Sequence, residues 1–164
     1  TILTRLFHIR YGAGFADPES VFPPARNNQE AKTTEWAGRI PPVTDTKMIV
    51  AWNSLMISGL ARASAVFQKP EYLEMAQKAA DFILDHQWVD DRFHRLNYDG
   101  HASVLAQSED YALFIKALLD LHQAQVAAAP ATLDAANRLL DRICLLQSEF
   151  DEFLWSIESG GYFN

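Results

Sequence analysis

The chain has 164 residues and a mass of 18.5 kDa, enough for one domain with a real core, since domains commonly run to about 100–150 residues. Hydrophobic residues make up 49% and charged residues 21%, ordinary globular proportions that exclude wholesale disorder. The single Cys144 excludes a disulfide-stapled scaffold. Fourteen Lys and Arg against 21 Asp and Glu give a net charge of −7 with no basic run, which speaks against nucleic acid as a partner.

Residues 1–50 carry six basic and five acidic groups and the remainder eight and sixteen, so bulk electrostatics does not draw an anion to the second part. The start, Thr1-Ile-Leu-Thr-Arg-Leu-Phe, is neither a signal peptide nor a membrane span. Together with the lone cysteine this makes the cytoplasm the expected compartment. With Thr rather than Met first, an internal piece of a longer protein is also an expected reading. Residues 3–11 alternate loosely and fit a strand or the end of a helix. Five of the seven prolines (Pro18, Pro23, Pro24, Pro41, Pro42) fall between Asp17 and Pro42, so residues 1–44 are taken as a Pro-rich segment, irregular over 12–44, ahead of a helical region at 45–164.

Residues 48–67 form an apolar run with one charge, Arg62. Asn53, three serines and Gly59 argue against a bilayer span and for a helix buried on all sides. Residues 71–87 are amphipathic: Glu71, Glu74, Lys78, Asp81 and Asp85 lie opposite Tyr72, Leu73, Ala76, Ala79, Ala80, Ile83 and Leu84. The pattern recurs. Residues 109–125 are apolar on nearly every side, with Ser108 as expected N-cap. Residues 132–148 are amphipathic, with Leu133, Ala136, Leu139, Leu140 and Ile143 facing inward.

Each helix pair ends in a non-helical tail, residues 91–96 and 151–156. Ala76 and Ala136, Asp91 and Asp151, and Phe93 and Phe153 all superpose at a spacing of 60 residues, an internal repeat of one helix hairpin. Alternation of a buried helix with an amphipathic one is what two concentric rings require, so the expected fold is all-α: two hairpins of an (α/α)6 toroid, a partial ring with apolar cut faces prone to self-association. An α-solenoid meets much of the same pattern.

In the ring arrangement the inner helices run the same way and their N-termini open on one face, where unpaired amides hold anionic or hydroxyl groups. Asp45, Thr46, Lys47, Trp52 and Asn53 would lie beside Ser108, Glu109, Asp110 and Tyr111 on that rim. Carboxylates beside aromatic rings suit a sugar site. Each residue has a plainer reading as well. Asp45 is a helix cap or a hydroxyl binder, Lys47 a solvated charge or a contact. Glu109 and Asp110 are macrodipole residues or acid/base groups. Trp52 is core or platform, and Asn53 a structural hydrogen bonder or a substrate contact.

The five histidines show no metal-ligand spacing, and Gly12-Ala13-Gly14 is too short for a dinucleotide fingerprint, so no metal and no cofactor are expected. Cys144 sits on the apolar side of its helix and reads as a buried, inert thiol. Gly160-Gly161-Tyr162-Phe163 reads as a turn back toward the ring or as a loop reaching the rim.

Thr44-Asp45-Thr46-Lys47, Ala51-Trp52-Asn53-Ser54-Leu55-Met56-Ile57, Tyr72, Ala76, Glu109-Asp110-Tyr111-Ala112 and Gly160-Gly161-Tyr162-Phe163 together resemble, over about residues 42–164, the thioredoxin-domain family of the spermatogenesis-associated protein type. The resemblance implies an N-terminal thioredoxin-like domain, absent from this chain, followed by a six-hairpin toroid similar to those of glycosidases and N-acylglucosamine epimerases. The family usually has Asp-Asp-Lys where this chain has Asp45-Thr46-Lys47, and Asn-Gly where it has Asn53-Ser54.

The expectation is therefore a toroid segment whose whole protein binds or processes a carbohydrate. Glu109 or Asp110 would be the acid/base group, Trp52 and Tyr111 would stack on the sugar, and Asp45, Lys47 and Asn53 would bind it. The fragment alone should be inactive. The rival expectation is a non-catalytic scaffold or protein-interaction module that assists the thioredoxin-like domain.

Overall fold

The computed structural model describes Thr33, residues 47–128 and residues 133–163, with only the backbone described at 133–136. Thr33 is helical; otherwise the expectations for residues 3–11 and 12–44, and for Asp45, lie outside the described residues. The remaining described residues belong to the second of two units into which the chain divides, Lys47–Asn164.

Four helices carry this unit: α1 (Val50–Phe67), α2 (Pro70–His86), α3 (Ser108–Ala128) and α4 (Leu133–Leu154). Three departures from the expected elements matter. Met48–Ile49 is a short strand, β1, so α1 begins later than the apolar run, with Ile49 as its N-cap and no side-chain cap of its own. α4 continues to Leu154, so residues 151–154 are helical and not a tail. The third is a sheet where a tail was expected: β2 (Trp88–Val89), β3 (Arg92–Tyr98) and β4 (His101–Leu105). The fold is mostly helical with small antiparallel sheets.

β3 is the centre of that sheet, pairing with β1 through Met48↔Asn97, with β2 through Trp88↔Phe93 and with β4 through Leu96↔Ser103. Two tight turns set the register. Asp90 and Asp91 both take positive φ between β2 and β3, as do Asp99 and Gly100 between β3 and β4. Two successive left-handed residues make the turn whose twist matches a right-handed hairpin, and Asp-Gly is among its favoured sequences. The buried Gln87 fastens the sheet to the end of α2: its amide nitrogen donates to the His94 carbonyl at 3.0 Å and its oxygen accepts from Asn97 at 2.9 Å. β5 (Trp155–Ser156) and β6 (Gly161–Tyr162) form a final hairpin, with Gly160 at φ +63 in its loop.

α3 is the central helix and packs against α1, α2 and α4. Its Phe114, Leu118 and Leu121 are fully buried and meet Ile57 and Ala61 of α1, Ala76, Ala80 and Ile83 of α2, and Leu146 and Phe150 of α4 in one core. The amphipathic readings hold at Ala76, Ala80 and Ile83 of α2 and at Leu139 and Ile143 of α4, all buried, while the side chains of Leu133 and Ala136 lie outside the described residues. The expectation that α1 is buried on all sides does not: Trp52, Leu55, Met56 and Val66 are exposed on one face. Cys144 is exposed as well, because α4 seats Leu139, Ile143, Leu146 and Phe150 and turns the next position away from the core. No helix among the described residues is long and apolar enough to cross a membrane.

The two repeats touch through equivalent positions. Ala51 bonds Asp110, Ser58 and Arg62 bond Asp120, and Trp88 bonds Glu149, pairs 58 to 62 residues apart. Asp120 is a polar clamp between α1 and α3, receiving Ser58 Oγ, Arg62 at 3.1 Å and Lys116 at 2.7 Å. Burial alone would raise its carboxyl, but the hydrogen bonds from Lys116, Ser58 and Arg62 outweigh burial and hold it at about 2.

Two outcomes follow from this packing. Phe114→Ala is expected to cost about 3–5 kcal/mol in denaturant unfolding, because the fully buried ring sits where the helices and β3 meet. Because Asp120 is depressed in the folded state, its contribution is fully present above about pH 4 and is lost as pH falls toward 2. With Arg62 and Lys116 largely exposed, the loss should be about 1 kcal/mol, and Asp120→Asn should remove it from a stability–pH curve.

Candidate functional site

The N-terminal end of α3 is where the expected rim residues, the sheet and the end of α4 converge. Gln107 precedes the helix, and its N–H donates to Asp110 Oδ2 at 3.0 Å, the back-bond that an acidic residue at the third helical position makes in a capping box. Ser108 is therefore not the N-cap; it is the first helical residue, and its hydroxyl donates to the Phe163 carbonyl at 2.6 Å. That bond brings the Gly160–Phe163 tail to the first turn of α3. The second oxygen of Asp110 accepts the Ala51 N–H at the start of α1, at 3.2 Å. Arg95 of β3 lies 3.5 Å from the same carboxylate, which is completely buried.

Asp110 thus supplies α1 with the cap that Ile49 lacks, and it does so from another repeat. A carboxylate with no solvent access and both oxygens engaged by main-chain donors holds the two helix starts in place. Tyr111 is held as firmly. Its ring is buried, stacked at 5.2 Å on Phe150 and edge-on to Phe93, so its faces are already covered. Its hydroxyl donates to Glu149 Oε1 at 2.7 Å. Burial, followed by that hydrogen bond, raises the phenol well above its ordinary value, so the group remains a donor.

Glu109 is exposed in the first turn of α3. Trp52 is 69% exposed on α1. Asn53 donates to the Ile49 carbonyl at 2.9 Å, so its amide serves the backbone one turn back. Lys47 is exposed ahead of β1.

Glu149, which sequence reasoning did not single out, joins these groups. Besides Tyr111 it accepts the Phe93 N–H at 2.9 Å and Trp88 Nε1 at 3.1 Å. A signal was available: Glu149, Asp151 and Glu152 crowd the C-terminal turns of α4, where the macrodipole disfavours acids, and such residues need partners elsewhere. Trp88 and Glu149 open into a cleft of about 570 Å³, lined also by Asp91, Arg142, Leu145, Ser148, Glu152 and Phe153. The aromatic walls are held by cations: the Arg92 guanidinium lies 3.6 Å from the Phe153 ring centre, and that of Arg142 lies 5.5 Å from Trp88. The cleft offers carboxylates, an arginine and ring edges, a set that binds hydroxyl-rich ligands with apolar faces.

No family model matches the chain. It is 32% identical over 135 residues to human spermatogenesis-associated protein 20, an alignment that covers 76% of this chain and 16% of that protein. It is 34% identical over 129 residues to the rat protein of the same name, covering 73% and 15%. The chain is a distant homologue of the spermatogenesis-associated protein 20 family. An uncharacterized protein of Caenorhabditis elegans is 32% identical over 147 residues, covering 82% of this chain and 18% of its own length. The chain spans less than a fifth of the length of these relatives.

Asp110→Asn tests the positioning role. One oxygen becomes a donor facing main-chain N–H groups, so stability is expected to fall by about 2–4 kcal/mol. Hydrogen exchange of the Ala51 and Gln107 amides should accelerate more than that of α4.

Proposed function

We propose that this chain is a segment of an α/α toroid domain and that the domain binds a carbohydrate at the end carrying the N-termini of α1 and α3. The observation that carries the reading is the open cleft in which Trp88 and Phe153 stand beside the carboxylates of Asp91, Glu149 and Glu152 and the guanidinium of Arg142. Aromatic walls cover the apolar faces of a pyranose, and carboxylates and arginine accept and donate to its hydroxyls. The repeated hairpin, with equivalent positions of neighbouring repeats bonded to each other, supports the ring.

In this reading Asp110 and Tyr111 hold the cleft in shape, while Trp52, Lys47 and Glu109 are exposed groups outside its lining. Asp91 and Glu152 are the cleft carboxylates left for proton transfer. A glycosidase needs two carboxyl groups facing each other across the substrate, so hydrolysis or epimerisation belongs to the longer protein.

A second reading is favoured by one observation. The two central acid and aromatic candidates, Asp110 and Tyr111, are buried within the fold, as a scaffold that serves a thioredoxin-like domain would have them. Thermal shift against a panel of mono- and disaccharides separates the two. The carbohydrate reading expects at least one sugar to raise Tm, with the response weakened at least tenfold in concentration dependence by Glu152→Gln and by Phe153→Ala. A flat response across the panel, or one that both variants retain, favours the scaffold.

A further inference from the structure

We infer that the exposed stripe of α1 is an isologous interface at which two copies of this chain pair antiparallel about Gly59. On a helical wheel at 100° per residue, Trp52, Leu55, Met56, Gly59, Ala63 and Val66 fall within about 100° of arc. The four large ones are 69%, 57%, 63% and 74% exposed, an unusually apolar face for a helix surface. Arg62 edges the stripe, with its charge engaged by Asp120 at 3.1 Å.

Gly59 stands at the middle of this face. A glycine inside a helix lowers its stability relative to alanine, and a Cβ added here meets nothing within 4 Å. The chain's own described packing therefore gives no reason for it. A second helix crossing at this point gives one, because the missing side chain allows close backbone approach.

The distribution of bulk selects a second copy as that helix. Trp52 lies seven residues before Gly59 and Val66 seven after it, with Leu55 and Met56 on the N-terminal side and Ala63 on the C-terminal side. A two-fold axis through Gly59 sets the large half of each stripe against the small half of the other, which is the self-complementarity a closed dimer requires. The four large side chains would bury roughly 500 Å² per copy, about 1,000 Å² in all, the lower bound for a specific interface. A dissociation constant in the micromolar range fits that size. The inference does not depend on carbohydrate binding.

Sedimentation equilibrium of the full chain in reductant, over concentrations from about 1 to 200 µM, should show a monomer–dimer equilibrium with a dimer of twice 18.5 kDa. Gly59→Leu and, separately, Met56→Glu should each weaken the dimer at least tenfold. Gly59→Ala should raise the Tm of the dilute monomer while it weakens the dimer, a divergence that a purely structural role for Gly59 does not produce. A monomer at every concentration overturns the proposal, as does open-ended aggregation. So does a dimer that survives both Gly59→Leu and Met56→Glu.

Discussion

The Asp110 carboxylate closes the start of two helices at once. One oxygen takes the Gln107 N–H ahead of α3 and the other the Ala51 N–H at the head of α1, with Arg95 of β3 beside them. A helix start leaves its first amides without partners, and a buried one needs them satisfied from elsewhere. α1 has no polar N-cap, so its entry into the core rests on a residue 59 positions away. The same contact fixes the height of α1 relative to α3. That height sets the pairing of Ser58 and Arg62 with Asp120 further along the two helices.

From that tie a second layer of order spreads outward. Tyr111, next in sequence to Asp110, sends its hydroxyl to Glu149, and Glu149 gathers the backbone of β3 and the indole of Trp88. Rings continue the line: Trp88 stacks on Phe93, Phe93 meets Tyr111, Tyr111 stacks on Phe150 and Phe150 on Tyr162. The cleft walls are thus anchored to the core on one side and open on the other. Rigid support of this kind suits a binding site, since groups fixed before the ligand arrives need no further ordering.

The exposed face of α1 and the cleft at the end of α4 show two different demands on the same helical pattern. A stripe of large apolar residues gains by leaving water whatever geometry the partner has. The cleft gains only when carboxylates, arginine and rings are set at particular distances, and those distances are products of the sheet turns and of the extension of α4 to Leu154.

Much was legible from residue order alone. The 60-residue repeat, the four helices and the inward stripes of α2 and α4 all follow from periodicity, because apolar burial acts through spacings of three and four residues that a sequence displays directly. The sheet was missed, although Asp99-Gly100 is a favoured hairpin-turn sequence. What the tertiary structure decided was the use of each polar group. Asp110 and Glu109 are neighbours in sequence and alike in chemistry, yet one is sealed beneath α1 and the other faces water. Asn53 turned to its own backbone, and Glu149 gathered three donors from three elements. Charge, acidity and hydrogen-bonding capacity are written in the residue, but whether they are spent inside the fold or left for a ligand depends on contacts between segments far apart in the chain.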